Sequence, residues 1–203
     1  MIRCDAHMHT RFSEDSDASV HSMLDAAIER GMEAVCITDH LDKDFPQTPD
    51  FPAGAFLFDL GNYFQRLTQL KEEYQKKLEV RIGVEIGLQP HLGEYYKELT
   101  EKYPFVYGAF GIHPDDAEKM TEDTLQEIRR LVRLPKAVAI GEIGLDYYWH
   151  KEEAEHQIQQ KMFRAQLDIA REEKLPFMIH SRDAAEDTLN IIREYMHGGM
   201  YGG

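Results

Sequence analysis

At 203 residues the chain is long enough for one domain with a real core and short for a complete eight-stranded α/β barrel. Its 42% hydrophobic and 30% charged content is that of an ordinary soluble globular protein. A formal net charge of −14 argues against a surface that gathers nucleic acid by counterion release, but a divalent metal in a cleft would reverse the local sign, so nuclease chemistry stays open.

Strand and helix patterns alternate almost without interruption. Ile2 to His7 reads as a strand, followed by a helix capped by Ser16 or Asp17, running to Arg30 and stopped at Gly31. Ala34 to Thr38 is the second strand, Asp42 to Gly54 a loop, and Ala55 to Leu78 a long helix. Val80 to Ile86 is the third strand and Gly93 to Lys102 a helix. Val106 to Ile112 is the fourth strand, and Thr121 caps a helix to Arg133. Ala137 to Ile143, the helix Glu152 to Lys174, Phe177 to Ile179 and a helix from Ala184 to about His197 complete the chain, with Gly198-Gly199 as a stop signal. These are about six parallel β/α units, with no linker and no long repeat.

The expected fold class is therefore α/β. An incomplete TIM-like (β/α) barrel and an open doubly wound sheet fit the periodicity equally. Ligand-type side chains at the C-terminal ends of nearly every strand favour the barrel, whose sites draw on many strands. Cys4 and Cys36, in or beside strands, read as buried thiols of a reducing compartment. The N-terminus carries no signal-peptide pattern and no span approaches a membrane helix, so the expected location is cytoplasmic, away from membranes.

His7 and His9 flank one residue on a strand, so both side chains point the same way and can grip one metal. Two histidines on an exposed strand edge are the plainer reading, and nearby Asp5 and Asp15 favour ligation. Asp5 is placed to orient a histidine. Asp15 suits a second metal or simple helix capping; His40 is a ligand or a loop histidine bonded to Asp39. Glu85 and Glu142 each end an apolar strand, where a carboxylate is costly unless paired or bound to metal. His180 closes another apolar strand in the same way. Arg182 can hold a phosphate bidentately or form a surface ion pair with Asp183 or Glu186, and His113 is a ligand or a phosphate donor. His21, His91, His150, His156 and His197 lack strand-end placement. The run Tyr147-Tyr148-Trp149-His150 can stack a base or ring, although wall packing is the plainer reading. No phosphate-binding glycine loop, Gly-x-Ser-x-Gly elbow or cysteine zinc site is present.

Two resemblances cover nearly the whole chain. Asp5-Ala6-His7-Met8-His9-Thr10 with Ser13 and Asp15, then Ile37-Thr38-Asp39-His40, then Arg81-Ile82-Gly83-Val84-Glu85-Ile86-Gly87, resemble the polymerase-and-histidinol-phosphatase (PHP) family over residues 1 to about 105, in its histidinol-phosphatase branch. That resemblance implies His7, His9, Asp15, His40 and Glu85 as ligands of a di- or trinuclear site that hydrolyses a phosphate monoester. Tyr107-Gly108 through His113-Pro114, Ala139 through Tyr148, and Ile179-His180-Ser181-Arg182-Asp183-Ala184 are similar to the TatD family of metal-dependent deoxyribonucleases, over about 99 to 203. There it implies Glu142 and His180 as ligands. The chain is thus expected to join two halves, 1–105 and 106–203, in one hydrolase domain. Both patterns expect further ligands beyond Gly203, so a truncated barrel is also expected.

The resulting expectation is a divalent-metal-dependent phosphoesterase. Two or three cations (Mn, Zn, Fe or Mg) would be held by His7, His9, Asp15, His40, Glu85, Glu142 and His180. Arg182 and His113 would steady the phosphate, and Asp39 could serve as base. A histidinol-phosphatase-like monoesterase ranks ahead of DNA phosphodiester hydrolysis because more of its ligands are present. The partners are then a small phosphorylated substrate or a DNA end. A non-catalytic fragment that self-associates through open barrel edges is the alternative outside enzymology.

Overall fold

β1 (Cys4–Met8), β2 (Ala34–Ile37) and β3 (Glu79–Ile82) pair in parallel in the order β1-β2-β3. Ala34 stands opposite Cys4 on one side and Glu79 on the other. The structure is a computed structural model describing residues 3–43, 45, 47–49, 51–87 and 92–196. The chain divides into two compact bodies, 1–92 and 93–203.

In the first body, α1 (Val20–Glu29) buries Val20, Leu24 and Ala27. Its cap is Ser19, which accepts the Ser22 N–H at 3.1 Å, not Ser16 or Asp17. Ser16 instead donates its hydroxyl to the His9 carbonyl at 3.3 Å, tying down the loop after β1. Gly31 ends the helix as expected, at φ 71°, a conformation only glycine takes without strain. α2 (Leu60–Tyr74) starts five residues later than its periodicity suggested, because Asp59 accepts the Asn62 N–H at 2.6 Å and fixes the first turn there. Tyr63, Phe64, Leu67, Leu70 and Tyr74 form its buried stripe, with Val35, Ile37 and Val80 of the strands also in the core. Each such side chain contributes roughly 1.5–3 kcal/mol on burial.

In the second body, β4 (Gly108–Phe110), β5 (Ala137–Asp146) and β6 (Phe177–Arg182) form a parallel sheet in the order β4-β5-β6. The helices are α3 (Leu92–Lys102), α4 (Glu122–Leu131, capped by Thr121 as expected), α5 (Glu153–Glu173) and α6 (Ala185–Met196), with a 3-10 turn over Pro114–Lys119. β5 and β6 run three residues past their expected ends because the ladder continues through Gly144↔His180, Leu145↔Ser181 and Asp146↔Arg182. Glu142 and His180 therefore lie within strands, not at their tips. Glu85, by contrast, lies beyond β3, held in an isolated parallel bridge to His40.

The expected α/β class and parallel pairing are observed. Cys4 is exposed and Cys36 half-buried, so the expectation of two buried thiols is corrected: Cys4 begins the edge strand β1, which has a partner strand on one side only. No described helix is long and apolar enough to cross a membrane. Ile2, His91, His197 and Gly198-Gly199 lie outside the described residues.

Candidate metal centres

The parallel strands of the first body carry His7, His9 and His40 toward one end, and the His40–Glu85 bridge brings the carboxylate alongside. That bridge is built from main chain: Glu85 N–H donates to Asp39 O at 3.0 Å and Leu41 N–H to Glu85 O at 2.8 Å. His7 Nε2 and His9 Nε2 stand 2.9 Å apart, and Glu85 Oε2 lies 3.0 and 2.9 Å from them. His9 is shared, because its Nδ1 contacts the Asp15 carboxylate, which also faces His40 Nε2 at 3.9 Å. Two ligand-type groups result, His7–His9–Glu85 and His9–Asp15–His40.

His7 Nδ1 meets Thr38 Oγ1 at 3.1 Å, leaving its Nε2 to face the cluster. His40 Nδ1 lies 3.2 Å from Asp42 Oδ2 but, buried, makes no aligned hydrogen bond. Asp5 accepts the His7 backbone N–H at 3.1 Å, so it sets the strand and not the imidazole. Asp42 was missed by sequence reasoning; its signal is its position two residues after His40. Asp39, expected as a base, is fully buried, and Thr10 and Ser13 occupy its oxygens through Thr10 Oγ1 at 3.0 Å and Ser13 Oγ at 3.3 Å. Burial pushes the Asp39 carboxyl up despite these bonds. It anchors the loop that bears Asp15.

These residues fit a divalent cation. Ligand atoms at roughly 2.1 Å from a tetrahedral metal stand roughly 3.4 Å apart, close to the 2.9–3.0 Å separations here. Glu85 Oε2 is buried beside two ring nitrogens yet makes no aligned hydrogen bond, as expected of lone pairs aimed at a common point. The electrostatics agree. Burial lowers the His9 pKa, but Asp15 and Glu85 outweigh it and raise it to about 10. Burial likewise opposes ionisation of Asp15 and Glu85, yet the histidines bring Asp15 down to about 2 and hold Glu85 well below the usual carboxylate range. His40 is raised, with Asp42 and Glu85 overcoming burial. The cluster attracts positive charge, which protons supply when no metal does.

In the second body His113, Glu142 and His180 form a third group. His180 Nδ1 lies 3.0 Å from His113 Nε2 and 3.4 Å from Glu142 Oε1. Its Nε2 lies 2.9 Å from Oδ2 of Asp146, a fully buried carboxylate. That contact makes Nε2–H the donor and leaves Nδ1 for ligation. The His180 pKa is raised because Glu142 and Asp146 outweigh burial. His113, expected as a ligand or a phosphate donor, stands with the ligand-type residues because its Nε2 faces His180 Nδ1, while its Nδ1 accepts the Asp115 backbone N–H at 3.3 Å. Arg182 is half-exposed and lies 3.6 Å from Asp146, not paired with Asp183 or Glu186 as its plainer reading had it.

Two buried glutamines on α5 hold the segments that carry this group. Gln166 clamps Ile112, accepting its N–H at 2.7 Å and donating to its carbonyl at 3.1 Å. Seven residues earlier, Gln159 clamps Asp146 the same way, at 2.9 and 3.2 Å. Sequence reasoning passed over Asp146, Asp115 and both glutamines; a Gln pair at i, i+7 on an otherwise apolar helix face was the available signal. Among the described histidines, His21, His150 and His156 join no ligand-type group.

Residues 4–202 match the family described as TatD related DNase. A metal-dependent hydrolase of Bacillus subtilis, YabD, whose name describes it as uncharacterized, is 48% identical over 97 residues, covering 48% of this chain and 37% of that protein. The histidinol-phosphatase of Lactococcus lactis is 31% identical over 132 residues, covering 64% of this chain and 47% of that protein. The chain thus matches less than half the length of either relative. The crystal structure of the Lactococcus lactis histidinol phosphate phosphatase with zinc, L-histidinol and phosphate superimposes with a TM-score of 0.59 at 17% identity, covering 95% of this chain and 93% of that one. That likeness bears out the expected fold class, an incomplete TIM-like α/β arrangement.

Proposed function

Because the chain belongs to the family of TatD related DNases, we propose that it hydrolyses phosphate esters in a divalent-metal-dependent reaction. The observation that carries this reading is the convergence of His7, His9 and Glu85 on one point, with the Glu85 oxygen buried and unaligned to any donor. A neutral imidazole has one lone pair to give, so His9 would serve one cation of the first body, either with His7 and Glu85 through Nε2 or with Asp15 and His40 through Nδ1; His113, Glu142 and His180 would hold another. Manganese, zinc, iron or magnesium suits such mixed imidazole and carboxylate sets. When bound, the metal supplies a nucleophilic water at neutral pH and Lewis-acid polarisation of a phosphoryl oxygen. The protein's own part is to hold ring tautomers through Thr38 and Asp146, to set a negative charge beside His40 through Asp42, and to fix the Asp15 loop through Asp39. Arg182 would steady the phosphate.

A histidinol-phosphatase-like monoesterase remains the first substrate reading, supported by the five ligand-type residues of the first body and by the Lactococcus relative. Phosphodiester hydrolysis is the second, favoured by the family match and by the His113–Glu142–His180 group. The family match over residues 4–202 takes in residues of both bodies, which supports one hydrolase domain; the resemblance of 1–105 and 106–203 to different families supports a join between them. The free thiols suit a cytoplasmic setting, and self-association through strand edges is the companion proposal for solution behaviour. The test is hydrolysis of p-nitrophenyl phosphate and of a DNA oligomer after loading with manganese or zinc. Metal-dependent turnover of either, lost in His9→Ala, is expected. No turnover of either at full metal occupancy overturns the proposal.

A further inference from the structure

A ligating histidine needs a neighbour that sets its ring. Thr38 does this for His7, and Asp146 for His180, its other oxygen accepting the Tyr148 N–H at 2.9 Å. His40 differs: among the described residues its Nδ1 is buried without an aligned hydrogen bond. Its Nε2 is nonetheless turned toward the Asp15 and Glu85 carboxylates, at 3.9 and 3.6 Å. Two rings stand where a hydrogen bond would otherwise act. His9 meets the imidazole edge to face with centroids 4.7 Å apart, and Phe56 does so at 5.3 Å.

Phe56 is 5% exposed, and its own position is fixed from several directions. Its carbonyl accepts the Asp42 N–H at 3.0 Å, so the loop that leaves His40 at Asp42 returns to it at Phe56. Between those ends the loop packs on its own rings. Phe45 and Phe51 lie 4.6 and 5.0 Å from Phe56 and 6.0 Å from each other. The Thr48 N–H donates to the Phe51 carbonyl at 2.9 Å, and the Phe51 N–H to Thr48 Oγ1 at 3.1 Å. A surface loop with joined ends and an interior of its own side chains is an Ω-loop, a class that frequently carries function. Two residues on, Phe58 packs at 4.6 Å on Tyr63, a fully buried residue of α2, and at 6.2 Å on Phe12 in the loop that bears Asp15.

We infer that Phe56 is a positioning residue for His40: backed by Phe45 and Phe51, its ring holds the imidazole with Nε2 toward Asp15 and Glu85. Close packing fixes the plane of a ring without dictating which nitrogen carries the proton. The inference rests on His40 serving as a ligand, the His9–Asp15–His40 alternative for the cation of the first body.

Two measurements test it. In the unaltered metal-free protein, nuclear Overhauser contacts between the His40 and Phe56 ring protons are expected, and their absence overturns the positioning. Manganese titration in a His180→Ala background, which removes a ligand-type residue of the second body, reads the first. There Phe56→Ala should weaken binding roughly 10- to 100-fold, the loss that follows when a residue orienting a ligating histidine is removed. Phe56→Leu keeps most of the apolar bulk and should retain most of the affinity. The loss should vanish when His40→Ala is already present, because Phe56 acts through that ring; a residue that only filled the core would cost the same with or without it. Unaltered affinity in Phe56→Ala, or equal loss with and without His40, overturns the positioning and leaves His40 as a ligand. Unaltered affinity in His40→Ala removes the ligand reading and the inference with it. If Phe56→Ala loses its far-UV circular dichroism, the ring contacts alone decide.

Discussion

Asp146 and His180 are joined at 2.9 Å between a fully buried carboxylate oxygen and the imidazole Nε2, leaving His180 Nδ1 as the nitrogen that faces Glu142 and His113. A carboxylate behind a ligating histidine fixes its tautomer and raises its basicity, and removing such a partner costs roughly 10- to 100-fold in metal affinity. Asp146→Asn keeps the shape and loses the charge. It is expected to weaken metal binding in the second body by about that factor. Calorimetric titration with manganese checks this; an unchanged affinity would show that Asp146 serves only the turn at Tyr148.

His9 belongs to both ligand-type groups of the first body, whereas His7 belongs to one. Native mass spectrometry should therefore show His9→Ala losing the metal of the first body whichever group holds it. Equal loss from His7→Ala would assign that metal to His7–His9–Glu85, and retention would assign it to His9–Asp15–His40; retention in His9→Ala would refute both.

Gly144 has φ 150°, and a Cβ there would overlap the His180 carbonyl oxygen. The close approach of β5 to β6 at this register pair admits no side chain. Gly144→Ala is expected to destabilise by about 1–3 kcal/mol and to displace His180. Thermal denaturation together with metal affinity tests both halves of that expectation, and a variant as stable as the parent would contradict it.

The metal-free protein should show a pH optimum of stability. The His9 pKa is raised from 6.5 to about 10, so its contribution is complete below 6.5 and is lost as pH rises toward about 10. Asp15 is lowered from 3.8 to about 2, so its contribution is complete above 3.8 and is lost as pH falls toward about 2. Unfolding midpoints measured with chelator present should decline on both sides of that window, and His9→Gln should flatten the alkaline side. A wild-type midpoint that stays level from neutral pH into the alkaline range would refute the pairing.

The order of strands and helices, the parallel class and the candidate ligands His7, His9, Asp15, His40, Glu85, Glu142 and His180 were legible in the sequence. Local rules govern them: apolar periodicity, caps such as Thr121, and costly polar side chains beside apolar strands. Which candidate ligands stand together was not legible, because that depends on strand register. The pairing of β2 with β3 and the His40–Glu85 bridge bring Glu85 to His7 and His9, and the extended β5–β6 ladder sets His180 against Asp146. Asp39 and Asp146 show the same limit. Both follow apolar strands in the sequence, yet one is spent on Thr10 and Ser13 and the other orients a histidine. A carboxylate's chemistry is decided by the donors that reach it, and only tertiary packing brings those donors within hydrogen-bond distance.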